Sequence, residues 1–448
     1  MHKPTSPPPA PSRAPTATRA IDAQLLDRLG RMGVSLGADH VQPPPAALDP
    51  RGSAGDAGVH VVPIEEAVPG RSATNAHGVC YITDVRRALS ESHGGEPLAG
   101  IARVDAAALA ELARDPSLAA LDYRRAAYLD TETTGLAGGT GTYAFLIGIG
   151  RFVDETFQVR QFFMRDPSEE RAQLAEVADW LADASGLVTF NGRTFDAPLL
   201  ATRYTMHRLR APHDGLPHLD LLPLARRLWR LRLESCRLAA LEAHVLGFER
   251  EDDVPGWLVP WRYLRYQADG DARPLQGIFR HNALDILSMV SLVARAERAW
   301  HRPEGAVDHA PDWLSLARAY DATGDWGRII AACEAALACG LPPSQADEAR
   351  LRLADAARRG GDWPAAVAAW NAMVALEAPT RLVPFEALAK YHEHHAEPRD
   401  LARAREVAEL ARALVGEGAL RPRRGRTRAL RELDHRLTRL RRKLSESG

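Results

Sequence analysis

The stretch Ala127-Tyr-Leu-Asp-Thr-Glu-Thr-Thr-Gly135 decides how the chain is read. Three apolar residues lead into two acids, Asp130 and Glu132, spaced two apart. Residues two apart on a strand project from one face, so the strand ends in a side-by-side carboxylate pair. A glycine-rich turn follows over 135–141, and then segments 143–152 and 156–164 read as two more strands. Three strands joined by short glycine-bearing turns form an antiparallel meander. A helix over 169–184, a strand over 186–190 and a helix from about 194 come next. Strand–helix–strand requires a crossover, which pairs the strands in parallel and turns right-handed. The fold class predicted is α/β: a mixed sheet of meander plus parallel strands, flanked by helices.

Outward from this centre the composition changes twice. Residues 1–58 are rich in Pro and Gly, with six prolines in the first twenty positions. Such a segment buries too little apolar surface to offset its ordering entropy, so it is expected to be disordered. The α/β domain is expected to span 59–302. From 311 the chain is rich in Ala, Leu and Arg, and Gly324-Asp-Trp, Gly361-Asp-Trp and Arg399-Asp-Leu recur at intervals of 37 and 38 residues. Each marks a turn between two helical stretches, the pattern of a tetratricopeptide-like helical repeat over 311–418. A basic amphipathic tail, 419–448, closes the sequence. Its last 28 residues carry eleven Lys/Arg against three Asp/Glu, and leucines 430, 433, 437, 440 and 444 form one helical stripe.

Of 448 residues, 57 are Lys or Arg and 58 Asp or Glu, so the net charge of −1 gives no global sign of a polyanionic partner. The apolar runs are far short of the ~20 residues that span a bilayer, and prolines stand where a signal peptide carries its apolar segment. Cys80, Cys236, Cys333 and Cys339 form no Cys-x-x-Cys pair and are expected to be buried, reduced thiols. These features predict a cytoplasmic protein with no membrane partner.

Each candidate carboxylate has a plain reading when taken alone. Asp130 and Glu132 fit a solvated strand end as well as a metal site. In Val188-Thr-Phe-Asn-Gly-Arg-Thr-Phe-Asp196, Asp196 falls in the first turn of a helix, where an acid complements the helix dipole. In Phe279-Arg-His-Asn-Ala-Leu-Asp285, His281 and Asp285 lie four apart and share a helix face. Buried together, however, such acids need neutralising, and hard divalent cations with oxygen ligands do that.

Read in order, strand Asp-x-Glu, then Asn-x-x-x-Phe-Asp, then an acid on a later helix, the set resembles the DEDD 3′–5′ exonuclease superfamily, with its ribonuclease H-like fold. More narrowly, the chain is similar to the YprB-type family. The similarity is carried by Thr133-Thr-Gly-Leu-Ala-Gly-Gly-Thr-Gly141 and by His218-Leu-Asp-Leu-Leu-Pro-Leu-Ala-Arg-Arg-Leu-Trp229. It is carried further by Leu241-Glu-Ala-His-Val-Leu-Gly-Phe-Glu-Arg-Glu-Asp-Asp-Val-Pro-Gly256 and His281-Asn-Ala-Leu-Asp285. The resemblance implies a 3′–5′ exonuclease in which Asp130, Glu132, Asp196 and Asp285 hold two Mg²⁺ or Mn²⁺ ions. One ion acidifies the attacking water and the other neutralises the leaving oxygen. Asp130 is expected to bridge the two.

The general base departs from the superfamily pattern. His281-x-x-x-Asp285 combines the spacing of a tyrosine branch with the residue of a histidine branch. His281 is the expected base; contact with the scissile phosphate, or substitution by Tyr204 or His218, are the other readings. Substrate contacts are expected at Thr131, Asn191, Arg226 and Trp229, with a structural turn as the second reading for Asn191. Asp220 reads equally as a helix cap and as an acid behind the metals, Asp252 and Asp253 as a turn, and His213 as a loop residue. The partner expected is nucleic acid, DNA or RNA, with a single-stranded 3′ end; the repeats suggest a protein partner or a second wall of the channel. An inactive nucleic-acid-binding scaffold and a structure-specific endonuclease are the alternatives.

Overall fold

The computed structural model describes residues 61–135, 141–420, 422 and 425–447. The Pro/Gly-rich segment 1–58 and the middle of the glycine-rich turn lie outside the described residues. Nine strands are found among the described residues: β1 (Arg71–Asn75), β2 (Gly78–Ala88), β3 (Ser92–His93), β4 (Glu96–Pro97), β5 (Ala127–Thr133), β6 (Ala144–Val153), β7 (Thr156–Phe163), β8 (Leu187–Thr189) and β9 (His218–Asp220). Seven form one sheet in the order β1-β2-β7-β6-β5-β8-β9, and β3 and β4 pair separately. The meander β5–β7 is antiparallel, while β8 joins β5, and β9 joins β8, in parallel. This is the mixed sheet the sequence predicts, extended beyond β7 by β2 and then β1.

Helices of at least eight residues are numbered α1 (Ala106–Ala113), α2 (Glu170–Leu181), α3 (Asp196–Met206), α4 (Leu221–Trp229), α5 (Val259–Asp269) and α6 (Gln276–His301). The series continues with α7 (Ala310–Tyr320), α8 (Trp326–Ala338), α9 (Pro343–Arg359), α10 (Trp363–Val374), α11 (Val383–His394), α12 (Leu401–Glu417) and α13 (Arg426–Ser447). Alternation along β5 splits the core: Ala127 and Leu129 pack with α2 and α3, while Tyr128 packs on the opposite face with α1, α4 and α6. Asp130 and Glu132 continue the Tyr128 register and so project towards α6.

Helix α6 lies unusually close to the sheet because β6 carries two glycines under it. A Cβ on Gly150 would come within 2.5 Å of Ile286, and one on Gly148 within 2.6 Å of the same side chain. Gly148 is also the cross-strand partner of Asp130. The close approach therefore delivers α6 side chains to the acid pair.

From α7 onward each helix packs on its successor through α13. The recurring aspartates are the reason for the turns: Asp325, Asp362 and Asp400 cap α8, α10 and α12, accepting from backbone N–H groups three residues on at 3.0, 3.0 and 2.8 Å. Gly324 and Gly361, with φ of +70° and +84°, supply the left-handed residue before the first two. Helix α7 packs on α4, and Arg232 donates to Asp312 across that joint at 2.8 Å. The leucine stripe of α13 is buried at Leu433, Leu437 and Leu440. Its cations are not all turned outward: Arg436, Arg439 and Lys443 close on the fully buried carboxylate of Glu393.

All four cysteines are free; Cys80, Cys236 and Cys333 are buried, but Cys339 is exposed just past the end of α8, contrary to the reading that all were buried. Among the described residues no helix is long and apolar enough to cross a membrane.

Candidate active site

Four carboxylates from three elements converge at one end of β5. Strand β5 brings Asp130 and Glu132, the first residue of α3 is Asp196, and α6 brings Asp285. Burial first, and then the neighbouring charges of Asp285, Glu132 and Asp196, push the Asp130 carboxyl well above its ordinary value. Burial likewise raises Glu132, partly opposed by His281, and it raises Asp196 against a hydrogen bond from Thr131. Carboxyls that raise one another in this way form an acidic cluster that His281 and Arg250 offset only in part.

Each acid is oriented by a neighbour. Thr131 Oγ1 donates to Asp196 Oδ1 at 2.5 Å, which gives Thr131 a positioning role beside the substrate contact expected of it. Asn282 Nδ2 donates to Asp130 Oδ2 at 2.8 Å. The other end of that carboxamide accepts from Gln161 Nε2 at 2.8 Å, and Thr83 donates to Gln161 at 3.0 Å. Thr83, Gln161 and Asn282 are all buried, so this chain of hydrogen bonds reaches Asp130 through the sheet.

The turn before Asp196 is pinned from α4. Asp220 accepts from the backbone N–H groups of Asn191 (2.8 Å), Arg193 (3.3 Å) and Leu222 (3.1 Å). It is thus a helix cap that also fixes the β8–α3 turn, and its charge contributes to raising Asp196. Asn191 has a φ of +67°, a left-handed conformation that Asn tolerates better than most residues. Its carboxamide makes no hydrogen bond among the described residues.

On the other side stands a pair of residues to which the sequence reading gives no role. Arg250 donates to Glu242 at 2.5 and 2.7 Å and also pairs with Asp285. Glu242 opens a π-helical turn, Glu242–Leu246, and is buried; Ser288 donates to it, and the Ser288 oxygen in turn accepts from His93 Nε2 at 2.8 Å. Burial keeps His93 neutral, its pKa lowered to about 4. Asp253, read from sequence as a turn residue, holds His281 instead: its Oδ1 lies 2.7 Å from His281 Nδ1. Arg250 Nη1 is 3.1 Å from that same nitrogen, which cannot serve both; the shorter contact, to a carboxylate, makes Nδ1 a donor. His281 Nε2 then points at the acids, 3.6 Å from Asp285 and 4.0 Å from Glu132. Burial opposes its protonation, but Asp285, Glu132 and Asp253 together raise its pKa.

Three sequence readings give way. Trp229 is 5% exposed, packed in the core, so its ring is closed to a base. Of the arginines around it, Arg227 donates to the Leu112 carbonyl and Arg232 to Asp312, Arg226 is half-buried and Arg230 is exposed. Tyr204 is buried and donates to the Leu174 carbonyl at 2.7 Å, and His218 is held by Thr189 at 2.8 Å, so neither is free to act as base.

Comparison with known proteins gives the family. A family model of the RNase H superfamily matches residues 127–297, from the start of β5 into α6. A protein of Bacillus subtilis (strain 168), described as uncharacterized protein YprB, is 31% identical over 63% of this chain and 68% of its own length. The chain belongs to the YprB family of RNase H-like proteins. The superfamily points to a nuclease, a hydrolase whose substrate is nucleic acid. Among the described residues no three of His, Cys, Asp and Glu form a preassembled metal cage. The chemistry of the donors nonetheless fits hard divalent cations: buried carboxylate oxygens whose mutual repulsion a bound ion would relieve.

Proposed function

We propose that this YprB-family chain is a metal-dependent nuclease, acting as a 3′–5′ exonuclease on single-stranded ends of DNA or RNA in the cytoplasm. The observation that carries the reading is the convergence of Asp130, Glu132, Asp196 and Asp285 from β5, α3 and α6, each lifted or flanked by the others. These four would hold two Mg²⁺ or Mn²⁺ ions, which supply Lewis acidity to the attacking water and the leaving oxygen. His281 takes the proton from water at Nε2, because Asp253 holds the Nδ1 proton and leaves the Nε2 lone pair facing the acids. Thr131 and Asn282 keep Asp196 and Asp130 in place. Asn191, with its carboxamide unengaged, contacts the substrate strand.

One observation favours a second reading. Arg250 already neutralises Asp285, which suits a fold that binds nucleic acid without cutting it. A single assay decides: purified protein with Mg²⁺ or Mn²⁺ on 5′-labelled, 3′-labelled and circular single-stranded substrates, beside Asp130→Asn. Release of nucleoside 5′-monophosphates from the 3′ end, lost in the variant, is expected. Rapid cutting of circles would make the protein an endonuclease, and binding with no cutting under either ion would make it a scaffold.

A further inference from the structure

The helical region carries a groove that the site above does not use. Its largest part, about 920 Å³, lies between α11 and α13, and a second part of about 340 Å³ adjoins it, the two sharing Val383, Glu386 and Lys390. The larger part is lined by six Arg or Lys side chains and two glutamates. Arg428 is spent on Glu432 at 2.9 Å, and Arg436 and Arg439 on the buried Glu393. Arg381, Lys390 and Arg431 are exposed and make no ion pair among the described residues. Three exposed cations outside any ion pair thus face one open space, which Glu386 also lines.

The smaller part has a different lining. Trp363 stacks on His395 with ring centroids 4.3 Å apart and planes 21° apart, and Tyr391 lies 5.6 Å from the same indole. His395 is exposed, and Trp363 and Tyr391 are half-exposed. A third cavity, about 650 Å³, joins through Arg381 and Val383, but its charges are matched: Arg352 pairs with Asp321 and Glu348, and Arg359 with Asp355.

We propose that this groove is a second nucleic-acid site, seating a single strand away from the carboxylates. Phosphates lie on Arg381, Lys390 and Arg431, and a base stacks on the Trp363–Tyr391–His395 cluster. An acidic peptide would satisfy the cations, but it has no flat face to match the rings; a single strand offers both along its length. The inference rests on nucleic acid being the substrate class, and it deepens that reading by giving the helical region a task.

The test is binding without turnover. The full chain is titrated, in EDTA, into fluorescein-labelled single-stranded oligo(dT) and oligo(U) of 20 nucleotides, and anisotropy is read over a range of salt. Each phosphate contact on a single strand contributes about 0.7 to the slope of log affinity against log salt. Arg381→Ala/Lys390→Ala/Arg431→Ala is expected to flatten the slope by about 2 and to weaken binding at least tenfold at low salt. His395→Ala is expected to weaken binding several-fold with the slope unchanged. The corresponding glutamine triple variant is measured alongside, and melting temperatures near wild type are expected because the three side chains are exposed and unpaired. Wild-type affinity and slope in both triple variants would overturn the proposal, as would polyglutamate of equal charge competing as well as unlabelled oligonucleotide. Because EDTA removes catalysis, a chain that cuts nothing still answers the question. A groove that binds nothing leaves the nuclease assay untouched.

Discussion

Gly148→Ala tests the contact on which the acid cluster is built. Gly148 lies opposite Asp130 on β6, and a Cβ added there would land on the Asn282 carboxamide, with Cγ at 2.8 Å and Ile286 Cδ1 at 2.6 Å. Both neighbours are fully buried on α6, so neither has an empty volume to rotate into. Overpacking of this kind costs about 1–3 kcal/mol. Displacing Asn282 also strips Asp130 of its donor and leaves Gln161 with one acceptor fewer, about 1–3 kcal/mol more. At roughly 2–4 °C per kcal/mol for a unit of 150–250 residues, melting should fall by about 4–24 °C. Turnover should fall at least tenfold, since Asp130 is no longer held. Scanning calorimetry and single-turnover hydrolysis measure the two effects. Adding Asn282→Ala removes the obstructing amide, and the pair should recover about 0.5–3 kcal/mol of stability through coupling while activity stays low. A single variant that melts within about 1 °C of wild type and turns over normally would show that α6 does not rest on β6 in this way.

Protonation of the acid cluster makes the next expectation. The folded state raises Asp130, so the stability of its protonated form is present below the ordinary carboxylate range and is lost as pH climbs towards the raised value. Asp130→Asn should therefore raise the melting temperature of the metal-free protein at pH 7.5, and it should abolish the further rise on adding Mn²⁺; a metal-free variant less stable than wild type contradicts this. Mn²⁺ binding to the wild type should release protons, seen as a buffer-dependent calorimetric heat at pH 6. Asp253→Asn removes one of the charges that raise His281, so the acid limb of the kcat/KM profile should move to lower pH; an unmoved limb would take His281 out of the base role. Glu393 is depressed to about 2: burial opposes its charge, but Arg439 and Lys443 outweigh it. That stabilisation is full above the ordinary glutamate range and is lost as pH falls from there towards about 2. Glu393→Gln should thus lower the melting temperature at pH 7 and speed proteolysis of α13, with the difference closing near pH 2.

Much of this architecture was open to a sequence reading because it is local. The meander, the crossover and the capping aspartates are each written in neighbouring residues, and the register of β5 puts Asp130 and Glu132 together. The carboxylates' keepers are not local. Arg250 meets Asp285 from 35 residues away and Asn282 meets Asp130 from 152, distances over which one chain leaves no spacing rule. Both nonetheless lie within quoted family stretches, which marked them without saying what they touch. Trp229 is a different case, since its burial was readable. Leu221, Ala225 and Trp229 fall on one helical stripe, and the basic residues between them drew attention away from it. Strands β1, β2 and β9 went unnamed: β1 and β9 are the two edges of the sheet, and β2 meets its neighbour β7 from 78 residues away at Thr83 and Gln161.

The two ends of the helical array are built to different terms from its middle. Helix α7 is fastened to α4 by Arg232 and Asp312, and α11 holds a buried acid that three cations of α13 seal. Between those fixtures the helices share an apolar core, Arg318 and Arg352 tie α7 and its end to α9, and every second helix start carries the same aspartate cap. A chain cut between α11 and α13 would leave Glu393 buried and charged without its cations, at a cost of about 3–5 kcal/mol.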